Sequence, residues 1–305
     1  MDVRRLDLLR ELAERGSITA VAAATHRTPS AVSQQLKVLE REAGVSLTER
    51  VGRGLQLTSA GYALARSAGE VAVALERASA LWDEFRNHPS GEVRLATFPS
   101  AGQVLLPGVL QQVSHTPGLT LICADGDHEL LDFPSLTADY DIVLAHSLRG
   151  ARAWGGRGLR VVPLMTEALD IALPADHRLA GRSYLTPGDV VDEPWIGVPI
   201  GFPFERILHD IEEATGRRAT IFQRISDLRM VEAFVAAGLG VSLIPRSTSG
   251  GIDPSRVVLK PLRGVDAERD IVALLRPDTA ERLAVRPVLE ILRANAAEIE
   301  AAHAT

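Results

Sequence analysis

A polar helix face near the N-terminus carries the side chains with the clearest chemistry in this sequence. Residues 28–40 read TPSAVSQQLKVLE, and the helical spacing of Val32, Leu36 and Leu39 predicts that these three are buried. Short donors and acceptors then point outward, and such groups match the base edges exposed in a major groove. The alternative is a solvated polar face on a small helical bundle. The candidate nucleic-acid contacts on this segment are Thr28, Ser30, Ala31, Ser33, Gln34 and Lys37.

Motifs for catalysis and for cofactors are weak or missing in this sequence. It contains no GxSxG elbow, no GxxxxGK phosphate loop and no HExxH zinc motif, and GLGVSL at 238–243 lacks the third glycine of a dinucleotide fingerprint. DGDHE at 125–129 gathers metal-ligand types, but loops that enter a helix commonly have this composition. Cys123, the single cysteine, lies in an apolar strand context and is interpreted as a small hydrophobe. We therefore expect no enzyme, no cofactor and no metal site.

The composition is that of an ordinary globular protein, with 46% hydrophobic residues and 24% charged residues in 305. The first 60 residues hold nine Lys or Arg and seven Asp or Glu, a balance of +2, whereas the remaining 245 hold 24 and 32, a balance of −8. A surface that binds a polyanion is therefore expected in the N-terminal fifth. The apolar run AFVAAGLGVSLIP is 13 residues, too short to span a bilayer. We expect a cytoplasmic protein with no membrane partner.

The elements around the polar face predict a winged helix-turn-helix. Apolar spacing predicts a first helix over 3–15, Ser17 is a good N-cap for a second, and Thr28 with Pro29 begins the third. LTERVGRGLQLT at 47–58 then predicts two short strands around a Gly-Arg-Gly turn. Arg50 and Arg53 flank this turn and are placed for phosphates or a minor groove.

A narrow apolar stripe follows in residues 59–87. Its spacing alternates between four and three, which is the heptad pattern of helices that associate. The alternative is an amphipathic helix that packs on the core of its own domain. The predicted dimerisation residues are Leu64, Ala68, Val71, Leu75, Ala78 and Trp82, and NHPSG at 87–91 is expected to be a hinge.

From Glu92 onward the sequence alternates between strand-like and helix-like segments. Such alternation predicts parallel sheets flanked by helices, and two sets of it suggest two lobes with a cleft between them. The fold class is therefore α/β.

The segment SITAVAAATHRTPSAVSQQLKVLEREAGVSLTERVGRGLQLTSAG at 17–61 closely resembles the LysR-type transcriptional regulators. LLP at 105–107, HRLA at 177–180, DEPWI at 192–196 and GLGVSLIP at 238–245 extend the resemblance over essentially the whole chain. Two residues depart from the family. Pro29 stands where a base-contacting glutamine is frequent, and Thr48 stands where a phenylalanine usually packs. Because of the first departure, no target DNA sequence is carried over from relatives.

The resemblance implies three parts: a winged helix-turn-helix (1–61), a dimerising linker helix and hinge (62–91), and a two-lobed effector domain (92–305). This last domain is expected to be similar to periplasmic binding proteins, with Rossmann-like lobes. Lobe I covers about 92–163 and 265–305, and lobe II about 164–264. The implied partners are double-stranded promoter DNA, a small-molecule effector, RNA polymerase, and further copies in a dimer of dimers.

The resemblance also points to the edge of the cleft as the effector site. Ser100 and Ser226 lie near helix starts, where unpaired N–H groups and the helix dipole favour an anion. The alternative is that both serines cap their own helices. We expect an organic anion as the effector, although a vestigial cleft without a ligand is the competing interpretation. The predicted effector-binding residues are Phe98, Ser100, Ala101, Asp127, His146, Gly201, Phe202 and Ser226.

Overall fold

The computed structural model describes residues 1–51, 54–85, 90–126, 133–148, 151–154 and 158–303. Two of the predicted site residues, Arg53 and Asp127, lie outside these ranges, as does most of the predicted hinge at 87–91.

Three helices and a hairpin form the N-terminal domain, as predicted. The helices are α1 (Val3–Arg15), α2 (Ile18–Ala24) and α3 (Pro29–Ala43), and each has a short polar N-cap side chain: Asp2, Ser17 and Thr28. Both α1 and α3 end at a glycine in the left-handed region, Gly16 and Gly44. β1 (Thr48–Val51) then pairs antiparallel with β2 (Gly54–Leu57). This arrangement confirms the winged helix-turn-helix.

A long helix, α4 (Ser59–Phe85), follows the hairpin and packs against α1. It begins inside the range predicted for the N-terminal domain, so the domain and the linker helix overlap. A glycine permits its close approach to the hairpin, because a Cβ at Gly61 would lie 2.1 Å from the carbonyl oxygen of Leu47.

The apolar stripe on α4 is divided between two environments. Leu64 and Ala68 pack in the core of the N-terminal domain, so their assignment to a dimer seam is corrected. Further along the helix, Val71 is 36% exposed, Leu75 48% and Trp82 59%, and Ala78 is exposed as well. Only this second group leaves apolar surface for another helix.

The effector domain runs from Gly91 to His303 and contains both lobes. Its elements in chain order are β3 (Gly91–Thr97), α5 (Pro99–Ser114), β4 (Leu119–Asp125), α6 (Phe133–Leu136), β5 (Ile142–Ser147), β6 (Arg160–Pro174), α7 (Pro187–Val190), β7 (Pro194–Gly197), α8 (Glu205–Thr215), β8 (Thr220–Arg224), α9 (Leu228–Ala236), β9 (Ser242–Pro245), β10 (Val257–Lys260), β11 (Glu268–Leu275) and α10 (Val285–His303).

The sheets of the effector domain are mixed rather than parallel. β3 pairs parallel with β4 and β5, and β7 pairs parallel with β8, as the alternation predicts. β11 is antiparallel to both β5 and β6, however, and β6 is antiparallel to β9 and β10. The expectation of parallel sheets is therefore wrong around these strands.

The two lobes share one long strand, β6. Its first half pairs with β11, and its second half, from Leu169, pairs with β9 and β10. The lobe boundary predicted at 163/164 thus falls inside a strand. Each lobe nevertheless has its own apolar core, built around residues such as Leu95, Phe133 and Leu144 in lobe I and Ile171, Trp195 and Ile207 in lobe II.

Candidate functional site

The polar face of α3 is built as the sequence predicts. The Thr28 hydroxyl accepts a hydrogen bond from the Ala31 N–H at 3.2 Å and lies 3.0 Å from the Ser30 hydroxyl. Ser30, Gln34 and Lys37 are exposed, whereas Ala31 and Ser33 are partly buried. The face therefore presents hydroxyl, amide and ammonium groups side by side, which is the set that reads base edges.

Two neighbouring glutamines have different surroundings. Gln34 is exposed, but the side-chain oxygen of Gln35 accepts a hydrogen bond from Arg5 Nε of α1 at 3.0 Å. Gln35 therefore holds α3 on α1, and Gln34 belongs to the open face.

Glu40 attaches the hairpin to α3. Its Oε1 accepts hydrogen bonds from the backbone N–H groups of Leu47 and Thr48 and from the Thr48 hydroxyl, each at 2.9 Å. This explains the departure at Thr48, since a hydroxyl there makes a polar contact that a phenylalanine lacks. Arg50 is exposed on the hairpin that is held in this way.

A cavity of about 760 Å³ lies between the two lobes. Lobe I contributes the start of α5 and the ends of β4 and β5, and lobe II contributes the loop before α8 and the start of α9. Of the predicted effector residues, Phe98, Ser100, His146, Phe202 and Ser226 line it. Ala101 and Gly201 are not among the lining residues: the side chain of Ala101, 1% exposed, is part of the core of lobe I, whereas Gly201 is exposed beside Phe202 and stays a prediction.

The start of α5 is open towards the cavity. Phe98 occupies the N-cap position without a side-chain hydrogen bond, and Pro99 is the first helical residue. Ser100 lies inside the first turn and does not cap the helix. Among the described residues, no side chain therefore caps the positive end of this dipole.

The start of α9 is closed by its own aspartate. Asp227 is the N-cap, and its carboxylate accepts hydrogen bonds from the backbone N–H groups of Arg229 and Met230, each at 2.9 Å. Ser226 lines the cavity but is not the cap. The two helix starts that resemble each other in the sequence thus differ in charge.

A buried ion pair that the sequence did not reveal supports the start of α5. Arg269 Nε lies 2.6 Å and Nη2 2.5 Å from Glu167 Oε2, and both side chains are 2% exposed. Arg269 Nη2 also donates to the Ser100 hydroxyl at 2.9 Å. The guanidinium lies 5.1 Å from the Phe98 ring centre and 5.3 Å from that of Phe204. A charged residue within a largely apolar strand was the available signal for Glu167, whereas Arg269 stands between Glu268 and Asp270 and gave no such signal.

Glu167 is held from the other side by lobe II. Its Oε1 accepts hydrogen bonds from the Ser247 hydroxyl and from the Ser247 N–H. Ser100, Arg269, Glu167 and Ser247 thus form a continuous polar chain from the cavity to the turn at Arg246–Gly251.

His146 stands within an aromatic cluster at the same wall. Its ring centre is 4.5 Å from that of Phe98, 5.9 Å from Phe204 and 6.5 Å from Phe202. Burial, together with the positive charge of Arg269, lowers the pKa of His146 well below 6.5, so the ring is neutral at pH 7. Its Nδ1 is buried without a hydrogen-bond partner among the described residues, which is an unusual cost in a packed protein.

The sequence offered two other candidate sites, the Cys123 thiol and the DGDHE segment. Cys123 lines the cavity, but burial raises the pKa of its thiol, so the reactive thiolate is disfavoured. Within the described ranges no group of three metal-ligating side chains occurs, although DGDHE lies mostly outside them. No helix in the same part of the chain is long and apolar enough to cross a membrane.

Comparisons with known proteins agree with this architecture. Residues 3–62 match the family described as bacterial regulatory helix-turn-helix protein, lysR family, and residues 86–297 match the LysR substrate binding domain. The chain is 26% identical over 282 residues to the transcriptional dual regulator GltC of Bacillus subtilis, which covers 92% of each protein. It is 27% identical over 312 residues to the DNA-binding transcriptional dual regulator OxyR of Escherichia coli, covering 96% and 95%.

Solved structures show the same fold. A full-length OxyR variant from Pseudomonas aeruginosa superimposes with a TM-score of 0.65 at 19% identity and covers 97% of each chain. CbnR in complex with its target DNA superimposes with a TM-score of 0.55 at 22% identity, covering 97% of this chain and 100% of that one. Since the two family matches span nearly the whole sequence, the chain belongs to the LysR family and is a DNA-binding transcriptional regulator with a substrate-binding domain, not an enzyme.

Proposed function

We propose that a small organic acid with an apolar or aromatic body binds in the inter-lobe cavity and changes how the protein holds promoter DNA. The observation that supports this proposal is the open start of α5, where Ser100 and Arg269 lie beside an aromatic wall. An acid at this position meets unpaired N–H groups and the positive end of the helix dipole.

The charge balance of the cavity favours a single acid group. Glu167 neutralises Arg269, Asp227 occupies the start of α9, and the other two charged lining residues, Asp125 and Arg229, have opposite signs. The dipole of α5 is therefore the main attraction for a negative charge. Phe98, Phe202 and Ile225 provide the apolar lining for the rest of the ligand. A sugar would need a denser polar lining than these residues offer.

Ligand binding is tested by thermal-shift screening of monocarboxylates with aliphatic or aromatic bodies, with their amides as uncharged controls. We expect the acids to raise the melting temperature, because binding only to the folded state stabilises it. Ser100→Ala should abolish the shift, since its hydroxyl and Arg269 form the polar edge of the site. Stabilisation by amides or sugars alone, or a normal response of the Ser100 variant, would refute the acid proposal.

An effect on DNA requires a separate measurement. A ligand can shift the protein between two arrangements only if it binds one of them more tightly. An acid that stabilises the protein should therefore alter its DNA affinity or footprint. If it binds but leaves both unchanged, the cavity does not regulate DNA binding.

We further propose that base contacts are made by the open face of α3, from Thr28 to Lys37, and that Arg50 and Arg53 contact phosphates. Gln34→Ala should weaken cognate binding by about 1–3 kcal/mol while nonspecific affinity changes little. Gln35→Ala is the matched control, because Gln35 bonds to Arg5 and should affect stability rather than specificity. Equal losses on cognate and random DNA for Gln34→Ala would contradict the assignment.

The exposed half of the α4 stripe supports self-association. We propose that Val71, Leu75, Ala78 and Trp82 pair two chains and that such dimers associate as a dimer of dimers in the cytoplasm, with RNA polymerase as a further partner at the promoter. Leu75→Asp would bury a charge in the seam and should dissociate the dimer in light scattering. An unchanged mass would show that another surface associates.

A further inference from the structure

A charged edge of α1 faces lobe I where β11 ends. Arg276, the residue after β11, lies 2.9 Å from Glu11 Oε1 and 3.1 Å from Glu14 Oε2 of α1. Two residues later, Asp278 accepts from Arg10 at 2.5 Å. Opposite charges therefore alternate across the boundary between the DNA-binding domain and lobe I.

The same contact extends to both sides of this cluster. Arg15 bonds to Glu11 at 2.6 Å within α1 and reaches Asp139 at 2.9 Å and the Ala138 carbonyl at 2.6 Å in lobe I. On the other side, Arg77 of α4 lies 3.1 Å from Glu281. Each of these groups has an oppositely charged or accepting partner in the other domain or beside it.

The charged groups of this contact are largely buried, so the contact requires a specific geometry but contributes little net free energy. The side chains of Arg276 and Glu11 are each 10% exposed, and Arg10 is 14% exposed. Arg10 Nε, Arg276 Nε and Arg276 Nη2 are buried without hydrogen-bond partners. Desolvation of buried ion pairs offsets much of their attraction, and the three unsatisfied donors add to that cost.

The apolar cores of the two domains are separate in the part of the chain that the structure describes, although Ala80 of α4 is buried and α4 contacts the turn at Thr279–Glu281. The hydrophobic core of the N-terminal domain is formed by residues between Leu6 and Ala68, and that of lobe I by residues between Val93 and Ile299. The two cores have no residue in common. A contact that depends on charges rather than on a shared core can open without exposing either core.

One strand connects this contact to the cavity. β11 begins at Glu268, its second residue is Arg269 at the cavity wall, and it ends next to Arg276. Seven residues of extended strand cover roughly 23 Å. A change at Arg269 therefore acts on the same rigid element that presents Arg276 to α1.

We propose that the charged surface of α1, formed by Arg10, Glu11, Glu14 and Arg15, is a docking surface for lobe I, and that the docked arrangement is one of two between which the cavity ligand selects. The docking itself is independent of the function proposed above. Its response to a ligand rests on that function, because the ligand must bind the docked and undocked forms unequally.

Docking is measured as the distance between the two domains in the full chain. Spin labels at Arg41→Cys and Gln111→Cys, both exposed positions, are introduced in a Cys123→Ser background, and labelled subunits are diluted with unlabelled protein. We expect one narrow distance distribution in the parent. Arg276→Met should lengthen and broaden it, because this change removes the lobe I partner of Glu11 and Glu14 and leaves Glu11 only its contact with Arg15 of the same helix.

Two comparisons keep this result interpretable. Arg206→Met removes a surface ion pair within α8, with Asp210 at 2.8 Å, and should leave the distribution as in the parent. If Arg276→Met fails to fold, the neutral pair Glu11→Gln with Arg276→Met restores the charge balance and should show the same lengthening. An unchanged distribution in the folded variants would overturn the docking proposal.

The effect of a ligand on docking is tested by a separate measurement. An acid that stabilises the protein should shift the parent's distribution, and this shift should vanish in Arg276→Met while the acid still raises the melting temperature. A bound acid that leaves the parent's distances unchanged would overturn the regulatory part, whereas failure of every acid to bind concerns only the proposed function.

Discussion

Two helices begin at the same cavity, and their first turns are opposite in character. α5 starts in lobe I with no side-chain cap and with Arg269 beside its first turn. α9 starts in lobe II with the Asp227 carboxylate on its first N–H groups. In the sequence both have a serine near the start of a helix, yet only the first offers a positive pole to a ligand.

Because of this difference, the two ends of the cavity differ in charge, and a charged ligand should bind in one orientation. If the acid group of a ligand lies at the start of α5, the rest of the ligand extends towards lobe II, where Phe202 and Ile225 line the wall. The negative charge of Asp227 then discourages a second acid group at the far end. When the lobes close around such a ligand, the ligand makes a polar contact with lobe I and an apolar contact with lobe II.

The largest expected effect comes from removing the cation beside α5. Arg269→Met leaves Glu167 buried without its partner, and breaking a buried pair in this way costs about 3–5 kcal/mol. Urea unfolding of the variant should show this loss. The variant should also lose the thermal response to acids, because the Glu167 carboxylate is then uncompensated near the start of α5 and repels an acid group.

A second variant separates the charge from the packing. Arg269→Met with Glu167→Gln removes both charges, so most of the stability should return. If the single and double variants are equally unstable, the loss comes from the contacts of Arg269 with Phe98 and Phe204 rather than from the stranded carboxylate.

A smaller effect is expected from His146, on the same side of the cavity. The folded-state pKa of His146 lies below 6.5, so below pH 6.5 the unfolded chain takes up a proton that the folded chain does not. Stability should therefore fall as the pH drops from 7 to 5, by at most about 1.4 kcal/mol per pH unit from this group. His146→Phe should remove this part of the slope and also eliminate the unpartnered Nδ1.

Urea midpoints of the parent and the His146 variant between pH 5 and 7 check this expectation. Subtraction of the two curves cancels the other titrating groups that both proteins share. Parallel curves would mean that His146 takes up its proton in the folded protein as readily as in the unfolded one.

The contrast between the two helix starts also shows where the sequence was informative. The N-terminal domain was predictable because its caps, glycines and apolar spacing are local, and the structure confirms helices that begin after Ser17 and Thr28.

The cavity was only partly predictable, because its polar chain depends on distant residues. Glu167 and Arg269 are 102 residues apart, and nothing in either segment indicates that β6 and β11 are neighbours. The alternation of strand-like and helix-like segments likewise gave no sign that β11 runs antiparallel to β5 and β6, which is why the mixed sheet was missed. Whether a helix start is open or capped depended on which residue is the N-cap. The alternative that Ser100 and Ser226 cap their own helices is wrong, because Phe98 and Asp227 occupy the N-cap positions.

The smallest expected effect comes from making the two helix starts alike. Asp227→Ser keeps an N-cap side chain but removes the negative charge, so α9 should stay folded while its dipole becomes available to the ligand. Acid binding should then strengthen by about 0.3–1 kcal/mol, the typical worth of a charge at a helix end. Ser226→Ala is the matched control, because Ser226 lines the cavity without capping the helix, and it should leave binding unchanged. Calorimetric titration of both variants with the best acid from the screen measures the difference. Weaker binding by Asp227→Ser would mean that a donor or cationic group of the ligand lies against Asp227. The ligand would then have the opposite orientation in the cavity.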